Sequence, residues 1–215
     1  MTVKRTKREE MLRLIENNPD WNVLELGCAR TGWTCASSYA DIENYEDHYK
    51  KINKPFVQTA ADETPFENDQ FDFVIACHIA EHMTDPEKFF NELSRIGKRG
   101  YIEVPTPFFD NFILGNSNPL PHGHCWWVTF DDVKNEIVFT PRYQVVKESI
   151  HPRDTTFLIP FFRDSMITSI YWENKIDFRI DDSIFSYEAG NGDPVQEVDL
   201  TNKKIPPHMQ WRVRN

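Results

Sequence analysis

Phe71-Asp72-Phe73-Val74-Ile75-Ala76-Cys77, then His78 to Met83, Asp85-Pro86, a helical stretch and Tyr101-Ile102-Glu103-Val104 form the segment that decides the fold. The first run is apolar and β-branched, as a strand buried on both faces requires. Asp85 is an acid at a helix cap, and Pro86 follows where a missing N–H does no harm. Phe89, Phe90, Leu93 and Ile96 then recur at helical spacing and should face a sheet. Gly97-Lys98-Arg99-Gly100 ends the helix with glycine and with the basic residues that the helix dipole favours. Strand, helix and strand at this spacing make a βαβ unit and so a parallel pair.

Upstream, Val23-Leu24-Glu25-Leu26-Gly27-Cys28-Ala29-Arg30-Thr31-Gly32 is a second buried strand that ends at an acid and a glycine turn. Such a strand delivers a ligand-binding loop at its carboxyl edge, and Gly27 lets the backbone turn and approach a ligand. Lys7 to about Asn17 reads as a short amphipathic helix, Ala36 to Asp41 as a short strand and Phe56 to Ala60 as another. Asp41 to Tyr49 yields no assignment. Downstream, Trp126 to Phe130 and Glu136 to Phe139 form a hairpin around Asp131 to Asn135. Tyr143 to Glu148 and Ser169 to Ile180 are strand-like, Phe157 to Phe162 is an apolar lid or substrate wall, and the tail from Glu188 is polar.

The chain of 215 residues suits one domain with a full core. Its 40% hydrophobic and 27% charged content is that of an ordinary globular protein. No apolar run approaches the roughly 20 residues of a membrane span. The basic start, Met1 to Arg8, leads into no signal core and reads as a solvated helix start or a frayed terminus. Four cysteines without close pairing make no disulfide framework, so a reducing, cytoplasmic setting is expected. A net charge of −10 argues against a nucleic-acid partner, whose phosphates call for Lys and Arg. Oligomeric state is not legible.

Gly27, Ala29 and Gly32 also fit a relaxed G-x-G-x-x-G, a weak sign of a dinucleotide site. The run Asp62-Glu63-Thr64-Pro65-Phe66, with Phe71 to Ile75, Glu81-His82-Met83-Thr84-Asp85-Pro86 and Gly97 to Pro105, resembles class I S-adenosylmethionine-dependent methyltransferases, and among them the type 11 branch. The resemblance covers about Asn22 to Pro107. A compact subgroup associated with surface-glycan pathways is similar, more loosely, in its His-x-x-Trp-Trp hairpin and the Tyr171-Trp172-Glu173 strand.

The resemblance implies an α/β, Rossmann-like, doubly wound and mainly parallel sheet with a C-terminal β-rich extension. One domain would span 1–215: a cofactor half at 1–107, an acceptor-side extension at 108–187 and a tail at 188–215. The implied cofactor is S-adenosyl-L-methionine. Glu25, Gly27, Cys28 and Ala29 would lie against its methionine part, Asp41 would hold the ribose hydroxyls, and Ala61, Asp62 and Glu63 would meet the adenine. Cys77 and His78 would sit beside the sulfonium. Ala29 and Thr31 stand where the family has its second and third motif glycines, with Arg30 between them, and Arg30 is a candidate partner for the methionine carboxylate. The interval from Gly27 to Asp62 is short for the usual first helix.

The implied reaction is methyl transfer to a sugar hydroxyl of a glycan or glycoconjugate, which needs an aligned acceptor and a base. His122, His124 and His82 are the candidates because imidazole titrates near neutrality; Asp110 is a weaker one. Trp126, Trp127, Tyr171 and Trp172 are candidate sugar-stacking surfaces or hairpin core. His122-x-His124-Cys125 lacks locatable further ligands, so no metal is assigned. The rival readings are a non-catalytic binding protein of the same fold and a nicotinamide-dependent oxidoreductase.

Overall fold

A computed structural model describes residues 2–112, 123–141 and 165–181. Among them the chain order is β1 (Val3–Arg5), α1 (Arg8–Glu16), β2 (Val23–Leu26), β3 (Ser38–Asp41), α2 (Glu46–Lys51), β4 (Phe56–Gln58) and β5 (Phe73–Cys77). A 3-10 turn (Ala80–His82) follows, then α3 (Pro86–Ile96), β6 (Arg99–Pro105), α4 (Pro107–Phe112), β7 (Trp126–Asp131), β8 (Glu136–Pro141), β9 (Ile167–Glu173) and β10 (Phe178–Ile180).

Seven strands form one sheet in the order β1-β9-β6-β5-β2-β3-β4, and β10-β8-β7 form a second, smaller one. The five strands from β6 to β4 are parallel, whereas β9 runs antiparallel to both β6 and β1. This is the α/β, Rossmann-like, mainly parallel architecture expected, with the smaller sheet as the C-terminal addition. Parallel pairing puts the carboxyl ends of β2 to β6 along one edge, where open α/β sheets bind ligands.

The caps of α3 act as their residue types predict. The Asp85 carboxylate accepts the Lys88 N–H at 2.9 Å, Pro86 opens the first turn, and Gly97 ends the helix. Phe89, Phe90, Leu93 and Ile96 are buried against Val74, Ala76 and Ile102 of the sheet. On the opposite face, Met11 and Ile15 of α1 join Val23, Phe73, Ile75 and Tyr101. One sheet is thus covered on both faces.

Four segments refine the sequence reading, and one of them, the crossing from β2 to β3, bears out its expectation of little room for a helix. The basic start is not frayed: Val3 is fully buried, and β1 pairs with β9 in the register Val3 to Trp172, because an apolar Val3 completes the core beside an open strand edge. The unassigned stretch contains α2, whose Tyr49 stacks at 4.2 Å on Tyr39 and at 5.4 Å on Phe56. No helix links β2 to β3; residues 27–37 cross as turns, and Trp33, Cys35, Ala36 and the tyrosines fill the space. Finally, β9 belongs to the main sheet and not to the C-terminal extension. The hairpin of β7 and β8 stands as read. Tyr143 to Glu148, Phe157 to Phe162 and the tail lie outside the described residues.

Glu92 of α3 secures the loop that leads into β5. It accepts from the Thr64 N–H and hydroxyl and pairs with Arg95, whose guanidinium also reaches the Phe66 carbonyl. Burial pushes the Glu92 carboxyl up, but Arg95 and Thr64 outweigh it and hold the value at about 2. A depressed carboxyl stabilises the fold above its unfolded value of 4.5, and that contribution fades as pH falls through about 2. Glu92→Gln should therefore cost about 2 kcal/mol at pH 7 and progressively less below pH 4.5, in urea unfolding compared across pH.

Candidate functional site

Two strained turns meet at the carboxyl edge. Gly27 has φ +66°, and it is followed by Ala29 at φ +46°; His78, just after β5, has φ +57°. A side chain in this left-handed region costs about 1 kcal/mol or more and persists only where the surroundings hold it. Gly27 donates its N–H to the Ala40 carbonyl at 2.8 Å, and His78 donates to the Glu103 carbonyl at 2.8 Å. The two turns touch through Ile79, since a Cβ added at Gly27 would lie 2.7 Å from Ile79 Cδ1.

Asp41 ends β3 and receives the first turn. Its Oδ2 accepts the Ala29 N–H at 2.9 Å, and its Oδ1 accepts the Glu43 N–H at 3.0 Å. The Asp41 carbonyl accepts the Thr59 N–H at 2.8 Å, which brings the turn carrying Ala61, Asp62 and Glu63 to the same edge. Asp62 and Glu63 pair with Lys88 at 3.4 and 2.8 Å. Arg30 stands apart, exposed and over the Tyr45 ring at 5.8 Å. The Cys28 thiol is buried, and burial pushes it up to about 12, an inert group. What Cys28 offers a ligand is backbone.

Beneath the Gly27 turn, Glu25 is buried and accepts the Trp33 N–H. Burial raises its carboxyl to about 7, against the pull of the Trp33 N–H and of Arg8. Arg8, from the first turn of α1, forms a two-pronged pair with Glu103 and lies 4.7 Å from the Trp33 ring. Neither Arg8 nor Trp33 carried a sequence signal, because their partners are set by the sheet and lie far along the chain.

The second turn gathers acid and imidazole. Glu81 has no solvent exposure, with His78 Nδ1 at 3.4 Å and His124 Nε2 at 3.9 Å. His124 lies in the short segment just before β7, which is tied down where the Cys125 N–H donates to the Glu81 carbonyl at 2.7 Å. The His82 and His124 rings meet edge to face at 4.6 Å. Burial lowers the His82 imidazole and keeps it neutral, while Glu81 and Glu103 outweigh burial and raise His78. Trp126 donates its indole N–H to the Met83 carbonyl at 2.6 Å. Trp127 and Trp172 are buried, so they serve as core and not as stacking surfaces; on β9 alternation sets Trp172 on the face of Ile170, whereas Trp127 is buried on the face of β7 opposite Val128 and Phe130. Cys77 lies at the end of β5, partly exposed. His122 and the Asp110 side chain lie outside the described residues.

The sequence candidates therefore fall into three groups. Gly27, Ala29 and Asp41 converge, and so do His78, His82 and His124; Arg30 does not join either group. The residue that sequence reasoning passed over is Glu81. Its signal was an acid three positions after His78 on an apolar turn, a spacing that brings both side chains to one side.

Residues 24–102 match the family model described as a methyltransferase domain. No curated protein matches the chain. Among solved structures, the YcgJ protein of Bacillus subtilis is 16% identical, with 46% of this chain and 52% of that chain covered and a TM-score of 0.37. A putative S-adenosylmethionine-dependent methyltransferase of Listeria monocytogenes is 14% identical, with 78% and 100% covered and a TM-score of 0.42. A methyltransferase of Thermotoga maritima, described as a possible histamine N-methyltransferase, is 15% identical, with 76% and 87% covered and a TM-score of 0.43. The chain spans about half the length of the Bacillus protein, 52%.

Gly27→Ala should cost about 2 kcal/mol in urea unfolding, from positive φ and from the contact with Ile79. Adding Ile79→Val should recover part of that loss. A double variant as unstable as the single one would show that the two turns do not press on each other.

Proposed function

We propose that this chain, whose residues 24–102 match a methyltransferase-domain model, is a class I S-adenosylmethionine-dependent methyltransferase that methylates a hydroxyl group, and that the hydroxyl belongs to a sugar or glycoconjugate. S-Adenosylmethionine is the methyl donor of that family, and when bound it supplies an electrophilic methyl on sulfonium. The observation that carries the reading is the contact through Ile79 between the Gly27 turn and the turn that holds Glu81 and His82. It puts a cofactor-type loop and a cluster able to handle protons side by side.

The donor set suits the cofactor. The Asp41 Oδ2 accepts the Ala29 N–H and its Oδ1 the Glu43 N–H, and a carboxylate with about four lone-pair sites keeps acceptor capacity for a ribose diol. Glu25 would face the methionine ammonium across Gly27, Cys28 and Ala29. Ala61, Asp62 and Glu63 would meet the adenine, and Cys77 and His78 the sulfonium end. Arg8, fixed under Trp33, is a cation whose charge acts on Glu25, and Arg30, exposed over Tyr45, would be the partner of the methionine carboxylate only by moving from that ring.

On the acceptor side, a histidine among His82, His122 and His124 would take the hydroxyl proton, an effect typically worth 10²–10⁴ in rate. His82, neutral by burial, is ready to accept one. The sugar assignment draws on the looser subgroup resemblance and on the part-exposed Trp126 beside the cluster. In this reading residues 1–107 bind the cofactor and 108–187 cover the acceptor. The four free thiols suit a reducing cytoplasm.

Transfer from labelled S-adenosylmethionine, screened over glycosides and nucleotide sugars, tests the acceptor. Binding by calorimetry without transfer to any hydroxyl would favour the non-catalytic alternative, and tighter binding of NAD would favour the oxidoreductase. Because Glu25 ionises at about 7, affinity for the cofactor should rise several-fold between pH 5.5 and 7.5. Glu25→Gln should flatten that rise.

A further inference from the structure

Glu81 is a buried carboxyl group faced by two imidazoles that do not hydrogen-bond to it. It has no solvent exposure, and among the described residues neither carboxylate oxygen makes a hydrogen bond. His78 and His124 stand at ion-pair distance, 3.4 and 3.9 Å, outside hydrogen-bond geometry. A buried carboxylate is costly unless a cation compensates it.

The space around it is lined by donors. One ligand atom from each of Glu81, His82 and His124 lies within 4.8 Å of the other two. Around an ion with bonds of about 2.0–2.2 Å, tetrahedral donors stand about 3.4 Å apart, so side-chain movements on the order of 1 Å close the set. His82 Nδ1 lies 3.3 Å from the Gly123 carbonyl. A proton held there leaves Nε2 as the lone-pair donor, the outer support that metal-binding histidines commonly have. The two ligand-bearing segments are already fastened, by Cys125 N–H to the Glu81 carbonyl and by Trp126 to the Met83 carbonyl.

We propose that Glu81, His82 and His124 bind a divalent transition-metal ion of the zinc class, in a site with a position left open at the sheet edge. Two imidazoles and one carboxylate suit such an ion; calcium and magnesium prefer all-oxygen sets. The site stands whether or not the chain transfers methyl groups. Its consequence rests on that reading: imidazoles bound to an ion do not accept a proton, so the base becomes His122.

The test is titration of the full chain, stripped with chelator, with zinc(II) by calorimetry and with cobalt(II) by visible absorption. One ion per chain is expected, with the intense cobalt spectrum of a low-coordinate site. Glu81→Gln and His124→Asn should each weaken binding at least about 10-fold, whereas His48→Asn, on α2, should leave it unchanged. Zinc should also raise the melting temperature of the wild type and not that of Glu81→Gln, with far-UV circular dichroism confirming that the variant folds. No saturable uptake by the wild type, or equal affinity in Glu81→Gln and His124→Asn, would overturn the site. A chain that binds zinc but no S-adenosylmethionine would sink the methyl-transfer reading alone.

Discussion

A carboxylate without solvent exposure, Glu103, sets the conditions for one whole face of the sheet. Its charge is kept by Arg8, which reaches it with two N–H groups, and by the Tyr101 hydroxyl, which also contacts Ser169. Removing one member of a buried pair typically costs about 3–5 kcal/mol, because the other charge is stranded. Arg8 belongs to α1, so the pair fixes that helix across β6. It also lies beneath Trp33, whose ring packs 5.4 Å from Tyr101, so the helix-free crossing from β2 to β3 hangs on the same anchor. The field around Glu25 follows from this arrangement.

The two sheet faces divide the work. The α3 face is apolar and regular, and it supplies rigidity. The α1 face holds Glu25, Glu103 and Arg8, and it carries charge into the neighbourhood of the glycine turn. Sites on an open α/β sheet depend on such asymmetry, since a rigid scaffold must hold groups that are costly to bury. The conformational strain lies at Ala29 and His78, at the ends of the strands that also carry the candidate chemistry.

Elements whose signals are local were legible in the sequence. The helix α3 could be read from Asp85, Pro86 and its apolar period, and β5 and β6 from their β-branched runs. Gly27 was rightly marked as a turn. What escaped depends on partners distant along the chain: Val3 needs Trp172, and Arg8 needs Glu103, 95 residues away. Glu81 looked like one more member of a family run, and nothing in its neighbours shows that it is buried without a hydrogen bond. The tryptophans show a choice that sequence leaves open: residue type allows sugar stacking or hairpin core, and burial decides for core at Trp127 and Trp172.

The main sheet is completed in an order that constrains synthesis. β1 has only β9 for a neighbour, and its partners Ile170, Tyr171 and Trp172 emerge from the ribosome long after Val3 to Arg5. Until then the first strand has nothing to pair with, and β6 keeps an open edge toward the missing β9. Pairings of such high sequence separation form slowly and leave hydrophobic edges unprotected meanwhile. The finished fold thus conceals two edges, on β1 and β6, that wait unpaired until the one strand between them is made.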